Sequence, residues 1–149
     1  MKRILVSAVM LLLLFLHIPS VSAKSLNFEG DYSFYTKSFY QDENCTTLQN
    51  GNYYIITCKA SYADTLKSKL TDIMGESVTT TCRCDDILQF AEAIGEIYFY
   101  GTVEGISVAE GFSPNIAGGV MKQNKKVNFQ VAYDGQHLTI GTPVILGSF

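Results

Sequence analysis

The stretch KVNFQVAYDGQHLTIGTPV, residues 126–144, constrains the fold more than any other part of the sequence. Apolar and polar residues alternate on both sides of Asp134-Gly135, a dipeptide typical of tight β-hairpin turns. This period-two alternation indicates two strands with one buried face, and a two-residue turn would pair Tyr133 with Gln136. The predicted buried face consists of Val127, Phe129, Val131, Leu138 and Ile140.

The opposite face of this hairpin is the predicted binding surface. Apart from Ala132 and Gly141, every residue that points there is polar. We therefore expect an exposed recognition surface, although a face that is covered by a helix or is merely solvated would show the same pattern. The predicted binding residues are Asn128, Gln130, His137 and Thr139.

A second hairpin is predicted in NCTTLQNGNYYIITC, residues 44–58. A type II′ turn at Gly51-Asn52 would place Cys45 directly opposite Cys58, at a separation that a disulfide can bridge. A type I′ turn at Asn50-Gly51 would leave the two cysteines diagonal to each other. A Cys45–Cys58 disulfide is therefore one prediction, and a Cys58–Cys82 link competes with it.

The four cysteines, Cys45, Cys58, Cys82 and Cys84, are all disulfide candidates. Four cysteines allow three connectivities, and a disulfide role fits an exported chain. Their spacing is not typical of a zinc site, since the usual C-x₂₋₄-C pairs do not occur. No C-x-x-C redox motif occurs either. We expect neither a metal nor a cofactor.

The middle of the chain predicts two helices between strands. Residues 59–77 show helical periodicity, with a capping box at Ser61 and Asp64 and a stop at Gly75. A shorter helix is predicted over residues 84–95, and strands over residues 77–82 and 96–105. Residues 105–125 predict a broken strand that leads into a loop. The fold class is α+β, a mainly antiparallel sheet with two helices on one face.

The first residues predict export. Lys2 and Arg3 precede a short apolar run, and Val21-Ser22-Ala23 resembles a cleavage site, so residues 1–23 are a predicted signal peptide. An uncleaved membrane anchor is the alternative. Residues 24–43 are a predicted N-terminal arm that docks its aromatic side chains, and residues 44–149 a single α+β domain. The net charge of −3 disfavours a nucleic-acid partner, which would require a basic surface.

No catalytic constellation is evident in the sequence. His137 is the one histidine beyond the predicted signal peptide, and no G-x-S-x-G or Cys/His signature accompanies it. Glu92, Glu96, Glu104 and Glu110 show no spacing that would fix two carboxylates for glycoside hydrolysis. The glycines and lysines of residues 111–126 do not form a phosphate-binding motif.

The C-terminal third resembles the YwmB-type secreted proteins of Gram-positive bacteria. The resemblance rests on VEGISVAEGFSPNI, KVNFQVAY and LTIGTPVI, and extends over about residues 53–149. It implies a shortened version of that family with a TATA-box-binding-protein-like fold. No activity or catalytic residue of the family is implied for this chain.

These observations lead to one expected function and two alternatives. The expected function is an exported, non-enzymatic protein that binds or assembles with an envelope protein or polymer. The first alternative is a small secreted hydrolase or wall-modifying enzyme that uses His137. The second is a secreted inhibitor that inserts a hairpin tip, Asn50-Gly51 or Asp134-Gly135, into a target enzyme.

Overall fold

A computed structural model describes residues 28–145 of the protein. The predicted signal peptide, residues 1–23, lies outside the described residues. The helices are α1 (Ala60–Lys69) and α2 (Ile87–Glu92). The strands are β1 (Asp31–Thr36), β2 (Cys45–Asn50), β3 (Tyr53–Lys59), β4 (Ile73–Thr81), β5 (Glu96–Val103), β6 (Ile106–Phe112), β7 (Val120–Lys122), β8 (Lys125–Val127), β9 (Phe129–Tyr133) and β10 (His137–Thr142).

Eight of these strands form one sheet in the order β2-β3-β1-β4-β10-β9-β6-β5. Strands β7 and β8 form a separate hairpin. Every pair of neighbouring strands is antiparallel. The predicted α+β class is therefore confirmed, with an antiparallel sheet of eight strands and two helices.

Both helices pack on the same face of this sheet. Ala63 and Leu66 of α1 and Phe90 of α2 belong to one hydrophobic core. Because side chains alternate along a strand, the strand residues of this core all point to one face. The strand residues of the core are Tyr32, Phe34, Ile56, Cys58, Val78, Ala109, Phe129, Val131, Leu138 and Ile140.

The other face of the sheet points away from both helices, and we call it the distal face. In the central strands β1, β4 and β10 it is formed by the residues that alternate with the core residues. These distal residues are Ser33, Tyr35, Ser77, Thr79, His137 and Thr139.

The first hairpin has the register that places Cys45 opposite Cys58. Asn50 pairs with Tyr53, so Gly51 and Asn52 are the turn residues. Gly51 has a φ of +60°, whereas Asn52 is not among the residues with positive φ. This combination defines a type II′ turn and confirms the first of the two predicted registers.

The register predicted for the last hairpin is wrong. Tyr133 pairs with Leu138 rather than Gln136, and the Asp134 N–H donates to the His137 carbonyl (3.3 Å), so the turn residues are Gly135 and Gln136 rather than Asp134 and Gly135. The Asp134 carboxylate stabilises this turn by accepting hydrogen bonds from the backbone N–H groups of Gln136 (2.8 Å) and His137 (2.6 Å). A shift of two residues leaves the side chains of residues 129–133 and 137–140 on their predicted faces, because the period of a strand is two. The predicted strand is broken at Asn128, however, and Val127 belongs to β8, where it pairs with Val120 of β7.

Helix α1 is shorter than the sequence predicts. Its N-cap is Lys59, with no side-chain capping bond, so the predicted capping box at Ser61 is wrong. The chain leaves the helix at Leu70, which has an extended backbone, and Asp72, with a φ of 56°, turns it into β4. Residues 73–75 consequently belong to β4, and Gly75 lies where a Cβ would be 2.8 Å from the Thr142 carbonyl oxygen.

The segment predicted to be an N-terminal arm contributes a strand to the interior of the sheet. Strand β1 lies between β3 and β4, and its Phe34 and Tyr35 are buried. The following residues are attached to α1 through Asp42. Its carboxylate accepts hydrogen bonds from the hydroxyls of Tyr40 (2.8 Å) and Tyr62 (2.5 Å). The Tyr40 bond lies within the segment, whereas the Tyr62 bond and the Lys69 ammonium, 3.6 Å from the same carboxylate, anchor residues 37–44 beside α1.

Two further features were not predicted. Strand β5 contains a bulge between Ile97 and Phe99, so Ile97 packs against the core while Phe99 points to the distal face. Strict alternation along the strand predicted over residues 96–105 would place both side chains on one face. Strands β7 and β8 form a short hairpin over residues 120–127, and it begins in the stretch where the sequence predicts a broken strand that leads into a loop.

All four cysteines are free thiols in the structure. The register expected for a Cys45–Cys58 link is present, but the link itself is not formed. Burial raises the pKa of the Cys58 thiol to about 11, and burial also raises the pKa of the Cys45, Cys82 and Cys84 thiols. At neutral pH these groups are protonated thiols, not nucleophilic thiolates.

Candidate functional site

The distal face forms an open cleft of about 360 Å³ over the centre of the sheet. The antiparallel pairings β1–β4, β4–β10 and β10–β9 bring the strands of its floor together. Strands β4 and β10 are the two middle strands of the sheet. Thr79 of β4 lies directly opposite Thr139 of β10. The lining of the cleft includes Ser33, Tyr35, Ser77, Thr79, Asp134, His137 and Thr139.

The floor of the cleft is built from uncharged hydroxyl groups that pair across the strands. Because a hydroxyl can donate one hydrogen bond and accept two, the half-buried pairs Thr79–Thr139 and Ser33–Thr57 retain capacity for a ligand, whereas Tyr35 and Ser77 are buried. The resulting surface offers both donors and acceptors without a formal charge. The pairs are Thr79–Thr139 (2.9 Å between oxygens), Tyr35–Ser77 (2.8 Å) and, at the β1–β3 side, Ser33–Thr57 (3.0 Å).

His137 and Asp134 lie at one end of the cleft and contact each other. The His137 Nδ1 atom is 2.9 Å from a carboxylate oxygen of Asp134. The backbone N–H of His137, its ring and the backbone N–H of Gln136 lower the pKa of the Asp134 carboxyl to about 2. Asp134 is therefore ionised at neutral pH and orients the imidazole.

In a hydrolytic site, such a pair would supply the general base and the residue that orients it. Base-catalysed nucleophilic attack would also require a Ser, Thr or Cys side chain hydrogen-bonded to the histidine. Within residues 28–145, the His137 ring hydrogen-bonds to Asp134 and to no hydroxyl or thiol. The Asp134–His137 pair therefore presents an imidazole ring of fixed orientation to the cleft.

The four residues predicted to bind a ligand do not lie together. His137 and Thr139 line the cleft, as the alternation of β10 predicts. Asn128 is fully buried, and its amide is hydrogen-bonded to the backbone of Ser113 and Ile116. Its interactions are those of a residue that fixes a loop.

Gln130 is also buried, on the distal face beside the cleft. It donates to the Glu110 carboxylate (2.7 Å) and accepts from the Ile145 N–H (2.9 Å). Lys122 of β7 lies 2.7 Å from both oxygens of the same carboxylate. These contacts attach the β7–β8 hairpin and the end of the described chain to the distal face, and so bound the cleft on one side.

Ser33, Tyr35, Ser77 and Thr79 line the cleft but were not predicted as site residues. A signal for Ser77 and Thr79 is present in the sequence, since the strand SVTTT places residues 77, 79 and 81 on one face. Tyr35 and Ser33 had no such signal, because β1 has aromatic residues on both of its faces.

No group of three or more His, Cys, Asp or Glu side chains in residues 28–145 is placed to hold a metal ion. Neither helix in this part of the chain is long and apolar enough to cross a membrane.

The chain was compared with protein-family models, curated proteins and solved structures. No family model, curated protein or solved structure matches it.

Proposed function

We propose that this chain is an exported, non-enzymatic protein that binds a component of the cell envelope through the distal face. One observation supports this most strongly: the helices cover one face of the sheet, while the other contains a cleft floored by uncharged hydroxyls. The predicted signal peptide supports the location. The resemblance to YwmB-type secreted proteins supports both the location and a TATA-box-binding-protein-like version of the α+β fold.

The chemistry of the cleft favours a ligand rich in hydroxyl and amide groups. Paired hydroxyls recognise such groups because each can switch between donating and accepting. The net charge of −3 disfavours strongly anionic polymers such as polyphosphates, which the protein would repel. We therefore propose the glycan strands of the cell wall as the ligand class.

The Thr79–Thr139 pair provides the sharpest test of this proposal. Replacing both residues by valine removes two hydroxyls together and preserves shape and strand propensity, so stability should change little. We expect the double variant T79V/T139V to bind purified Gram-positive cell walls about 10-fold more weakly in a co-sedimentation assay, equivalent to about 1.4 kcal/mol.

The matched control is Thr65→Val, which makes the same change on the exposed surface of α1. Wall binding by this variant should equal that of the unaltered protein, and no soluble fragments should be released from the walls. Equal binding by the double variant and the control would contradict the proposal. Release of fragments that His137→Ala abolishes would instead favour the hydrolase.

Export would also expose the thiols to an oxidising environment. Because Cys45 and Cys58 are directly opposite each other in the β2–β3 register, we expect them to form the disulfide in the exported protein. Such a link would stabilise the fold by about 3 kcal/mol in the loop-entropy model. Mass spectrometry of unreduced peptides should show Cys45–Cys58; four alkylatable thiols, or a Cys58–Cys82 link, would show this assignment to be wrong.

A further inference from the structure

Strand β5 is the last strand of the large sheet, and its outer edge pairs with no strand of the described chain. Val103 pairs with Ile106, and Glu104 (φ 52°) and Gly105 (φ 86°) form the two-residue turn between them. Counting back from this turn, the backbone N–H and C=O groups of Thr102 and Tyr100 point outward, away from β6. The edge therefore offers unsatisfied donors and acceptors to another strand.

Exposed apolar side chains are concentrated at this end of the molecule. Strand β7 lies close to β5, because Lys122 bonds to Glu110 and Glu110 pairs with Phe99. β5 has no lysine or proline, residues that commonly protect exposed edges from pairing. Five of the seven exposed large hydrophobic side chains in residues 28–145 lie on these two strands: Phe99, Tyr100, Val103, Val120 and Met121.

The opposite edge of the sheet differs from β5. The Thr47 hydroxyl of β2 donates a hydrogen bond to the carbonyl of Tyr40, so the chain segment before β2 lies alongside that strand. The segment partly covers the β2 edge, whereas no strand of the described chain pairs with the outer edge of β5. The two edges are therefore suited to a direct comparison.

We propose that β5 pairs with β5 of a second copy of this chain, antiparallel and around a two-fold axis, so that the two sheets become continuous. An antiparallel strand edge is complementary to itself under such an axis. The free backbone groups of Tyr100 would bond to those of the partner's Thr102. Phe99 would then lie opposite the partner's Val103, on the same face of the joined sheet.

The positions of charged side chains favour this register, with a second copy of the chain as the partner. Because Tyr98 is the extra residue of the β5 bulge, a register centred on Tyr100 would place the partner's Glu104 opposite Gly95 and next to Glu96, a like charge that repels it. In the register centred on Gly101, the partner's Glu104 lies beside Tyr98. The Lys125 ammonium is 4.3 Å from the centre of the Tyr98 ring, so each copy supplies a cation next to the other copy's glutamate. This inference is independent of ligand binding by the distal face.

The first experiment is sedimentation velocity of the exported protein at concentrations up to about 100 μM, where even weak dimers are populated. We expect a concentration-dependent dimer. Thr102→Pro removes one outward N–H and no bond to β6, so a folded monomer should result. Gln49→Pro makes the same change at an outward-facing position of β2, and that variant should still dimerise. Circular dichroism and the melting temperature verify that both variants fold.

A second experiment tests the charge contact without altering the backbone. Lys125→Glu should weaken the dimer about 10-fold, and the combination with Glu104→Lys should restore it. A protein that stays monomeric throughout this range would overturn the proposal. Equal effects of the two proline variants on dimerisation would show that β5 is not the pairing edge. Failure of the charge swap to restore the dimer would show that the proposed register is wrong.

Discussion

Replacing Phe129 with alanine is expected to lower the free energy of unfolding by about 3–5 kcal/mol. Phe129 is fully buried in the core. Its ring fills the space beside two glycines, since a Cβ on Gly111 would lie 2.8 Å, and one on Gly95 3.0 Å, from ring atoms. The backbone around the ring cannot close a cavity of this size, so the lost contacts are not replaced.

Urea denaturation with linear extrapolation measures this effect. The matched control is Phe39→Ala, because Phe39 is 61% exposed and its ring contacts only the edge of Tyr54 among the described aromatic rings. Its loss should cost less than about 1 kcal/mol. Equal destabilisation by the two variants would mean that Phe129 does not occupy the centre of the core.

Replacing Asn128 with alanine is expected to cost about 3 kcal/mol, although the residue is polar. Its side-chain oxygen accepts from the Ser113 N–H (2.8 Å), and its amide donates to the carbonyls of Ser113 (2.7 Å) and Ile116 (2.6 Å). Asn128 and Ser113 are both buried, so alanine would leave backbone groups without partners and without water. Each such group costs about 1–3 kcal/mol.

The control for this prediction is Asn115→Ala, in the same loop but exposed, which should change stability by less than about 0.5 kcal/mol. Hydrogen exchange gives a second readout, because the Ser113 N–H should lose its protection in the Asn128 variant alone. If Asn128→Ala proves as mild as Asn115→Ala, the loop has another anchor and Asn128 is free to contact a ligand.

Asn128 and Gln130 show what strand alternation can and cannot predict. The period of two correctly assigned Gln130 to the face opposite Phe129 and Val131, whereas Asn128 lies between β8 and β9 and belongs to neither strand. The period could not show that Ser113, Ile116, Glu110 and Ile145 would supply their hydrogen-bond partners, because these lie 12–20 residues away in sequence. A polar face in a sequence is thus compatible with either solvent or a polar interior network.

Strand β1 was missed for a related reason. Phe34 faces the core and Tyr35 the distal face, yet both are buried, so DYSFYT has no alternation of apolar and polar residues. Tyr35 is accommodated because its hydroxyl bonds to Ser77 of the neighbouring strand. The hairpins β2–β3 and β9–β10 were found because their turn residues and alternation agree, even though the second register is off by two residues.

Methyl NMR tests the claim that the distal face binds wall glycan. Thr79, Ala132 and Thr139 place methyl groups in the cleft, whereas Ala63 and Ala91 place theirs in the core under the helices. Titration of the protein with solubilised glycan fragments of Gram-positive cell walls should shift the first three signals and leave the two core signals unchanged. Shifts confined to the helix layer, or no shifts at saturating fragment concentration, would contradict the claim.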